Sequence, residues 1–196
     1  MIGDLLLLGP PGAGKGTQGA LLAKDLGVPK VATGDLLRDA VARETPLGRQ
    51  ARDVMDAGHL VSDAIILGIV REQLQRPAAA HGVVFDGVVR TIPQAEGLTA
   101  IEAELGRGIE QVLLFDVDDA ELLARLERRR HLENRADDDP AAVRTRLEAY
   151  RRQTAPVIAW FEAHGGVTRV PATGSVDDVA RRVHEAVEHR RGRVRR

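Results

Sequence analysis

The run Leu5-Leu6-Leu7-Leu8, followed by Gly9-Pro10-Pro11-Gly12-Ala13-Gly14-Lys15-Gly16-Thr17, constrains the fold more than any other stretch. Four consecutive leucines suit a strand buried on both faces, the setting of a parallel sheet. Glycines at 12, 14 and 16 let the backbone curl with its N–H groups pointing inward. Thr17 then opens a helix-like segment through Gln18, Ala20, Leu21, Leu22 and Ala23. Strand, glycine-rich turn and helix N-terminus in that order form a cradle for a polyphosphate, and Lys15 adds a full positive charge. The spacing Gly9 to Lys15 fits G-x-x-x-x-G-K, but Gly16 follows and the hydroxyl arrives one residue later, at Thr17. The stretch implies a nucleoside triphosphate site.

A chain of 196 residues, 43 % hydrophobic, can bury a proper core and is expected to form one domain with appendages. No stretch approaches the ~20 apolar residues of a membrane span, and Met1-Ile2-Gly3-Asp4 lacks a basic signal-peptide start. The absence of cysteine excludes disulfides, thiolate zinc sites and a thiol nucleophile. A cytoplasmic enzyme is expected. Of the 28 lysines and arginines only three are lysine, at 15, 24 and 30. The arginine fork suits bidentate phosphate contacts, yet a GC-rich genome gives the same bias, so position must decide. The basic end at 190–196 reads as a solvated, frayed terminus rather than a contact for nucleic acid or acidic lipid.

Buried-strand patterns recur at Ile2–Leu8, Val83–Phe85, Val112–Val117 and Val167–Val170, with a short one near Pro29–Ala32. Amphipathic helical patterns such as Ala64–Leu74 and Asp119–Arg130 run between them. The alternation predicts a parallel sheet covered on both faces, with ligands beyond the strands' carboxyl ends. The loops after Leu8, Ala32, Phe85, Val117 and Val170 should therefore carry the site.

After the short strand, Thr33 or Asp35 can cap a helix beginning near Leu36, a role compatible with ligand binding. From Leu36 to Ser62 a polar helical pattern, broken at Pro46 and Gly58, reads as an excursion from the sheet. Asp86, at the carboxyl end of a buried strand facing the phosphate loop, suits water-mediated Mg²⁺ binding or a structural hydrogen bond to a loop amide. Thr91-Ile92-Pro93 reads as helix entry with proline in the first turn. Asp118-Asp119 suits the cap of the next helix. Pro140, after an aspartate cap, starts a long helix with Val143, Leu147, Tyr150 and Thr154 on one side. Arg128, Arg130 and Arg152 read as a solvated, salt-bridged face. Arg125 and Arg129, at i and i+4, can together reach a phosphate.

Four motifs, in order along nearly the whole chain, resemble the adenylate kinase family. They are Gly12-Ala13-Gly14-Lys15-Gly16-Thr17-Gln18, Thr33-Gly34-Asp35-Leu36-Leu37-Arg38, Asp86-Gly87 with Arg90-Thr91 and Pro93-Gln94-Ala95, and Arg135-Ala136-Asp137-Asp138. Arg144-Thr145-Arg146-Leu147-Glu148, Tyr150 and Thr154-Ala155-Pro156 continue the match. The resemblance implies an α/β P-loop three-layer fold with a five-stranded parallel sheet, a small helical monophosphate-binding part at 33–63 and a short lid at 126–136, a loop without metal ligands. It implies reversible transfer of the ATP γ-phosphoryl group to AMP, giving two ADP, with Mg²⁺ and without structural zinc. A cytoplasmic monomer acting on free nucleotides, not on nucleic acid or a membrane, belongs to the same expectation.

By that resemblance Gly12, Ala13, Gly14, Lys15, Gly16 and Thr17 cradle the ATP phosphates, Arg125 and Arg129 support them, and Gly174 meets the adenine. Lys15, Arg90, Arg129, Arg135 and Arg146 surround the transferring group. A transition state with charge spread over equatorial oxygens needs positive charge and positioning rather than a covalent nucleophile. Asp86, and Asp35 with it, hold metal-bound water. For AMP, Arg38, Arg90, Arg135 and Arg146 take the phosphate, Thr33 and Gln94 read the base, and His59, Leu60, Val61, Gly87, Val88 and Val89 line the pocket.

Thr33 and Gln94 favour AMP over UMP or CMP, because related pyrimidine nucleotide kinases usually differ at both positions. The family normally has Phe-Pro, with a cis bond, where this chain has Val88-Val89. A cis bond before a non-proline residue costs roughly 2.5–4 kcal/mol, so this bond is expected to be trans. A displaced Arg90 loop and a slower enzyme, or one weaker for AMP, follow as expectations. The alternatives are a monophosphate kinase of other acceptor specificity and a nucleotide-binding protein with weakened catalysis.

Overall fold

The computed structural model describes residues 3–57, 59–133 and 138–194. Five parallel strands form one sheet in the order β2-β3-β1-β4-β5. They are β1 (Asp4–Leu8), β2 (Lys30–Ala32), β3 (Val84–Asp86), β4 (Ile109–Asp116) and β5 (Val167–Pro171). Leu6 stands opposite Phe85 on one side and Val112 on the other, so the leucine run is the sheet's centre. Successive side chains point to opposite faces. Leu6 and Leu8 join Phe85, Val112, Leu98, Val157 and Phe161, while Leu5 and Leu7 join Leu22, Leu113, Phe115, Val179 and Val183. All four leucines are at most 2 % exposed, each contributing roughly 1.5–3 kcal/mol of burial.

The first face is covered by α4 (Asp63–Leu74), α5 (Ile92–Glu104) and α8 (Ala155–His164). The second is covered by α1 (Lys15–Leu26), α6 (Asp119–Glu133) and α9 (Val176–Val194). Between β2 and α4, α2 (Thr33–Ala42) and α3 (Pro46–Asp56) leave the sheet. They have their own small cluster, Leu37, Ala51 and Ile66, with Met55 and Val61 against it. The expected excursion is thus two helices, split where Pro46 takes the first position of α3 and Thr45 caps it.

Several expected boundaries move. α1 begins at Lys15, not Thr17, because left-handed Gly14 (φ 89°) already serves as its cap residue. α2 begins at Thr33 with Ala32 in the cap position, so neither Thr33 nor Asp35 caps it; β2 passes into the helix without a turn. The helical pattern expected over Asp119–Arg130 stands and runs on to Glu133, so residues 126–133, where the resemblance places the start of a lid loop, are the last turns of α6. Their leucine, glutamate and arginine are good helix formers that sustain it. The expected long helix after Pro140 is divided into α7 (Pro140–Ala149), a π-helical turn (Tyr150–Thr154) and α8. Pro156 has no N–H to bond back into the preceding turn, a sufficient cause for the wider spacing. The end expected to fray is helical to Val194, while residues 195–196 lie outside the described residues. The caps at Thr91, Asp118 and Asp139 stand as expected.

Candidate active site

The strands' carboxyl ends open into a cleft of about 600 Å³. Its wall includes Gly12, Gly14, Lys15, Gly16 and Thr17 from the turn after β1 and the start of α1. The turn depends on glycine where the backbone is left-handed. Gly12 has φ 85°, and a Cβ there would stand 3.1 Å from the Leu122 carbonyl oxygen of α6. Ala13, 1 % exposed, packs beneath the loop and does not line the cleft. The positive end of the α1 dipole thus faces the opening. Lys15 turns back onto its own loop, its Nζ donating to Gly9 O at 2.7 Å and Pro10 O at 2.8 Å. Loss of hydration lowers its pKa to about 8 against the opposing charge of Asp86, and Arg90, Arg146 and Arg129 push it the same way. Cations from three further segments therefore act on one lysine.

Arg129 on α6 and Arg146 on α7 meet at Asp138. Arg129 Nε donates to Asp138 Oδ2 at 2.6 Å, and Arg146 Nη1 donates to Oδ1 at 2.9 Å. The Asp138 side chain is completely buried. It fixes both guanidinium planes at the edge of the cleft, which both line. Arg125, which also lines the cleft, is held by Glu121 one turn back at 2.7 Å. Arg128, expected on a solvated, paired face, is exposed and also reaches the cleft. Arg130 does pair with Glu127 (3.9 Å). Arg135 lies outside the described residues, as does Gly58.

Arg90 follows Gly87-Val88-Val89. No cis peptide bond occurs among the described residues, so the Val88–Val89 bond is trans as expected. Both valines are 1 % exposed and belong to the core of the first face; they anchor the loop by packing. Val88 still borders the cleft, whereas Val89 lines a smaller adjoining cavity of about 70 Å³ with Lys15, Arg90, Arg146 and Tyr150. Hydrogen bonds fix the rest of the loop. Arg90 N donates to Gln94 Oε1 (2.7 Å), Arg90 Nε to Gly87 O (3.0 Å), Thr33 Oγ1 to Gly87 O (3.1 Å), and Thr154 Oγ1 to Arg90 O (2.9 Å). The π-helical turn is thus a support for the Arg90 loop, a connection that spacing alone does not reveal.

The other end of the cleft is lined by Thr33, Arg38, His59, Leu60, Val61 and Gln94, with Leu37, Met55 and Ile66 supplying apolar wall that sequence reasoning missed. Gln94 is 2 % exposed, and its Nε2 donates to Asp63 Oδ1 at 2.7 Å. Gly174 does not line the cleft. It lies in the turn between β5 and α9, which Gln18 joins to α1 by donating to Val176 O at 2.8 Å.

Asp86 stands beside the phosphate loop, and Asp35 lines the same cleft. A Cβ on Gly16 would stand 3.5 Å from Asp86 Oδ2, and the Asp86 side chain is 14 % exposed. Burial pushes the Asp35 carboxyl up, but hydrogen bonds from Arg38 and Lys30 overcome this and hold it below its ordinary range. No group of three metal-ligating side chains occurs among the described residues. Two carboxylates in one cleft, one of them beside the phosphate cradle, fit Mg²⁺ carried in by a nucleotide and keeping its waters, rather than a protein-made cage. Nor is any helix among them long and apolar enough to cross a membrane.

A family model described as "Adenylate kinase" matches residues 7–166. The chain is 48 % identical to the adenylate kinase of Gemmatimonas aurantiaca over 209 aligned positions, covering 93 % of this chain and 98 % of that protein. It is 46 % identical to that of Thermus thermophilus, with 93 % and 96 % covered. With that of Stenotrophomonas maltophilia it shares 42 %, with 94 % and 98 % covered. The sheet order, the glycine turn closed by Lys15 and the agreement along nearly the entire chain converge: this chain belongs to the adenylate kinase family.

Proposed function

We propose that the protein transfers the γ-phosphoryl group of ATP to AMP, reversibly, giving two ADP. The observation that carries this is the convergence of Lys15, Arg90, Arg129 and Arg146 from separate elements onto one cleft. An AMP phosphate oxygen attacks the γ phosphorus as its bond to the β–γ bridging oxygen breaks, and the released electron pair stays on the ADP β-phosphate. Charge grows on the equatorial and leaving oxygens, where fixed cations act most strongly.

The donor's phosphates rest on the loop from Gly12 to Thr17, supported by Arg125 and Arg129, with the adenine towards Gly174. Lys15 exchanges its bonds to Gly9 O and Pro10 O for phosphate oxygens, so it is already close to its working place. The acceptor phosphate falls to Arg38, Arg90 and Arg146, joined by Arg135. The acceptor base enters between Thr33, Gln94 and the His59-Leu60-Val61 segment. Mg²⁺, held through water by Asp86 and Asp35, would neutralise charge on the donor's phosphate oxygens. The parts at 33–63 and 126–136 close over the two nucleotides and exclude water. The same reading makes the protein a cytoplasmic monomer acting on free nucleotides.

Phosphorus NMR tests the reading. Equal ATP and AMP with Mg²⁺ should give new ADP α and β resonances beside remaining ATP and AMP, and ADP alone should relax to the same three-nucleotide mixture. Release of inorganic phosphate with AMP unconsumed would contradict it.

A further inference from the structure

Lys30 has no part in the chemistry just described, yet it stands inside the cleft. It opens β2, and its stem crosses α1, with Cδ 3.4 Å from the place a Cβ on Gly19 would take. Its ammonium donates to Asp35 Oδ2 at 3.1 Å and lies 3.9 Å from Asp86 Oδ2. The other Asp35 oxygen accepts from Arg38. The lysine side chain is 22 % exposed, so the ammonium is only partly screened by water. A fixed protein cation therefore stands at both of the carboxylates assigned to the metal's water.

An ammonium and a hydrated divalent cation offer a carboxylate the same thing, positive charge and hydrogen-bond donors, and they repel one another at short range. We propose that Lys30 is an internal counter-ion of the Asp35–Asp86 pair that withdraws when nucleotide brings Mg²⁺, and so sets how strongly the metal tightens nucleotide binding. This rests on the reading of Asp86 and Asp35 as metal-water carboxylates. Without metal, Lys30 neutralises carboxylates that would repel the phosphates, which favours bare ATP. With metal, displacing Lys30 opposes binding. Both effects reduce the ratio of the ATP dissociation constant without Mg²⁺ to that with it, a ratio that measures the coupling between metal and enzyme.

The test is calorimetric titration of ATP, with Mg²⁺ and with a chelator, into wild type, Lys30→Met, Lys30→Gln, Lys30→Arg and Asp86→Asn. Methionine and glutamine keep much of the stem but lose the charge, and should raise the ratio about tenfold, the order expected for removing one like charge near the metal. Arginine should restore the wild-type ratio. Asp86→Asn should lower it towards one. An unchanged or smaller ratio in both neutral variants, with Asp86→Asn still lowering it, would overturn the role of Lys30 and leave the metal reading intact. A ratio unchanged in Asp86→Asn would overturn both.

Discussion

Asp138 Oδ1 accepts from Arg146 Nη1 at 2.9 Å while both Asp138 oxygens take the fork of Arg129. One buried carboxylate thereby sets the separation of two arginines that reach the cleft from different helices. Breaking a buried pair leaves charge uncompensated, at about 3–5 kcal/mol. Since both guanidiniums keep some exposure, 26 % and 15 %, the lower figure applies. Asp138→Ala should lower Tm by roughly 6–12 °C, at ~2–4 °C per kcal/mol for a chain of this size. Asp138→Asn, which keeps the shape, should lower kcat by about 10- to 100-fold while ATP affinity changes little. Thermal melts and steady-state kinetics read the two effects.

Lys15 in the free protein titrates at about 8, lowered from 10.5. Above that pH it loses the charge on which phosphate binding depends. Because kcat/KM reports the free enzyme, kcat/KM for ATP should fall as pH rises through about 8. Bound phosphate should keep kcat itself level to higher pH. The sign for stability is that of a depressed pKa. The stabilising contribution is present above 10.5 and is lost as pH falls through about 8, so at neutral pH the charged lysine weakens the fold.

Glu102 on α5 is 1 % exposed beside Asp4 at 2 %. Arg107 donates to Asp4 at 2.6 Å and 2.9 Å but stands 3.7 Å from Glu102, and no donor reaches either Glu102 oxygen. Two acceptor-only carboxylates can bond only if one keeps a proton. Burial, then Asp4, push Glu102 up from 4.5 to about 8. A raised pKa gives stability that is complete below 4.5 and lost as pH rises through about 8. Wild type should therefore lose stability between pH 5 and 8, seen as a falling Tm. Glu102→Gln, a permanently uncharged stand-in, should lack that part of the slope.

The hydroxyl of Thr33 ties the start of α2 to Gly87 O, two elements on either side of the acceptor recess. Thr33→Ala should lower kcat/KM for AMP about 5- to 10-fold, the order of one hydrogen bond of ~1 kcal/mol, with ATP affinity unaltered. Thr33→Ser should restore most of it. Kinetics with AMP varied at saturating ATP would check both.

The leucine run and glycine turn declare themselves because strand burial, left-handed backbone and a helix N-terminus are local demands written in adjacent residues. The carboxyl-end loops after β1, β2 and β3 follow from the topology that the run implies, whereas those expected after Val117 and Val170 contribute no residue to the cleft. Asp138 was visible only as part of a motif, since its partners lie on two helices brought together by packing. Thr154 supporting Arg90 depends on a π-helical turn that residue patterns do not announce. Nothing in the residue pattern singles out Lys30, whose place near Asp86 follows from the pairing of β2 with β3. The helical course as far as Arg130 is legible in the residue pattern, and only its continuation to Glu133 departs from the loop that the resemblance implies.

The most direct test is ADP formation from ATP and Mg²⁺ with AMP, UMP, CMP and GMP offered in parallel. The account predicts ADP formed fastest with AMP, and no turnover in Lys15→Met. No turnover with any acceptor, in a wild-type protein that still binds ATP by calorimetry, would contradict it.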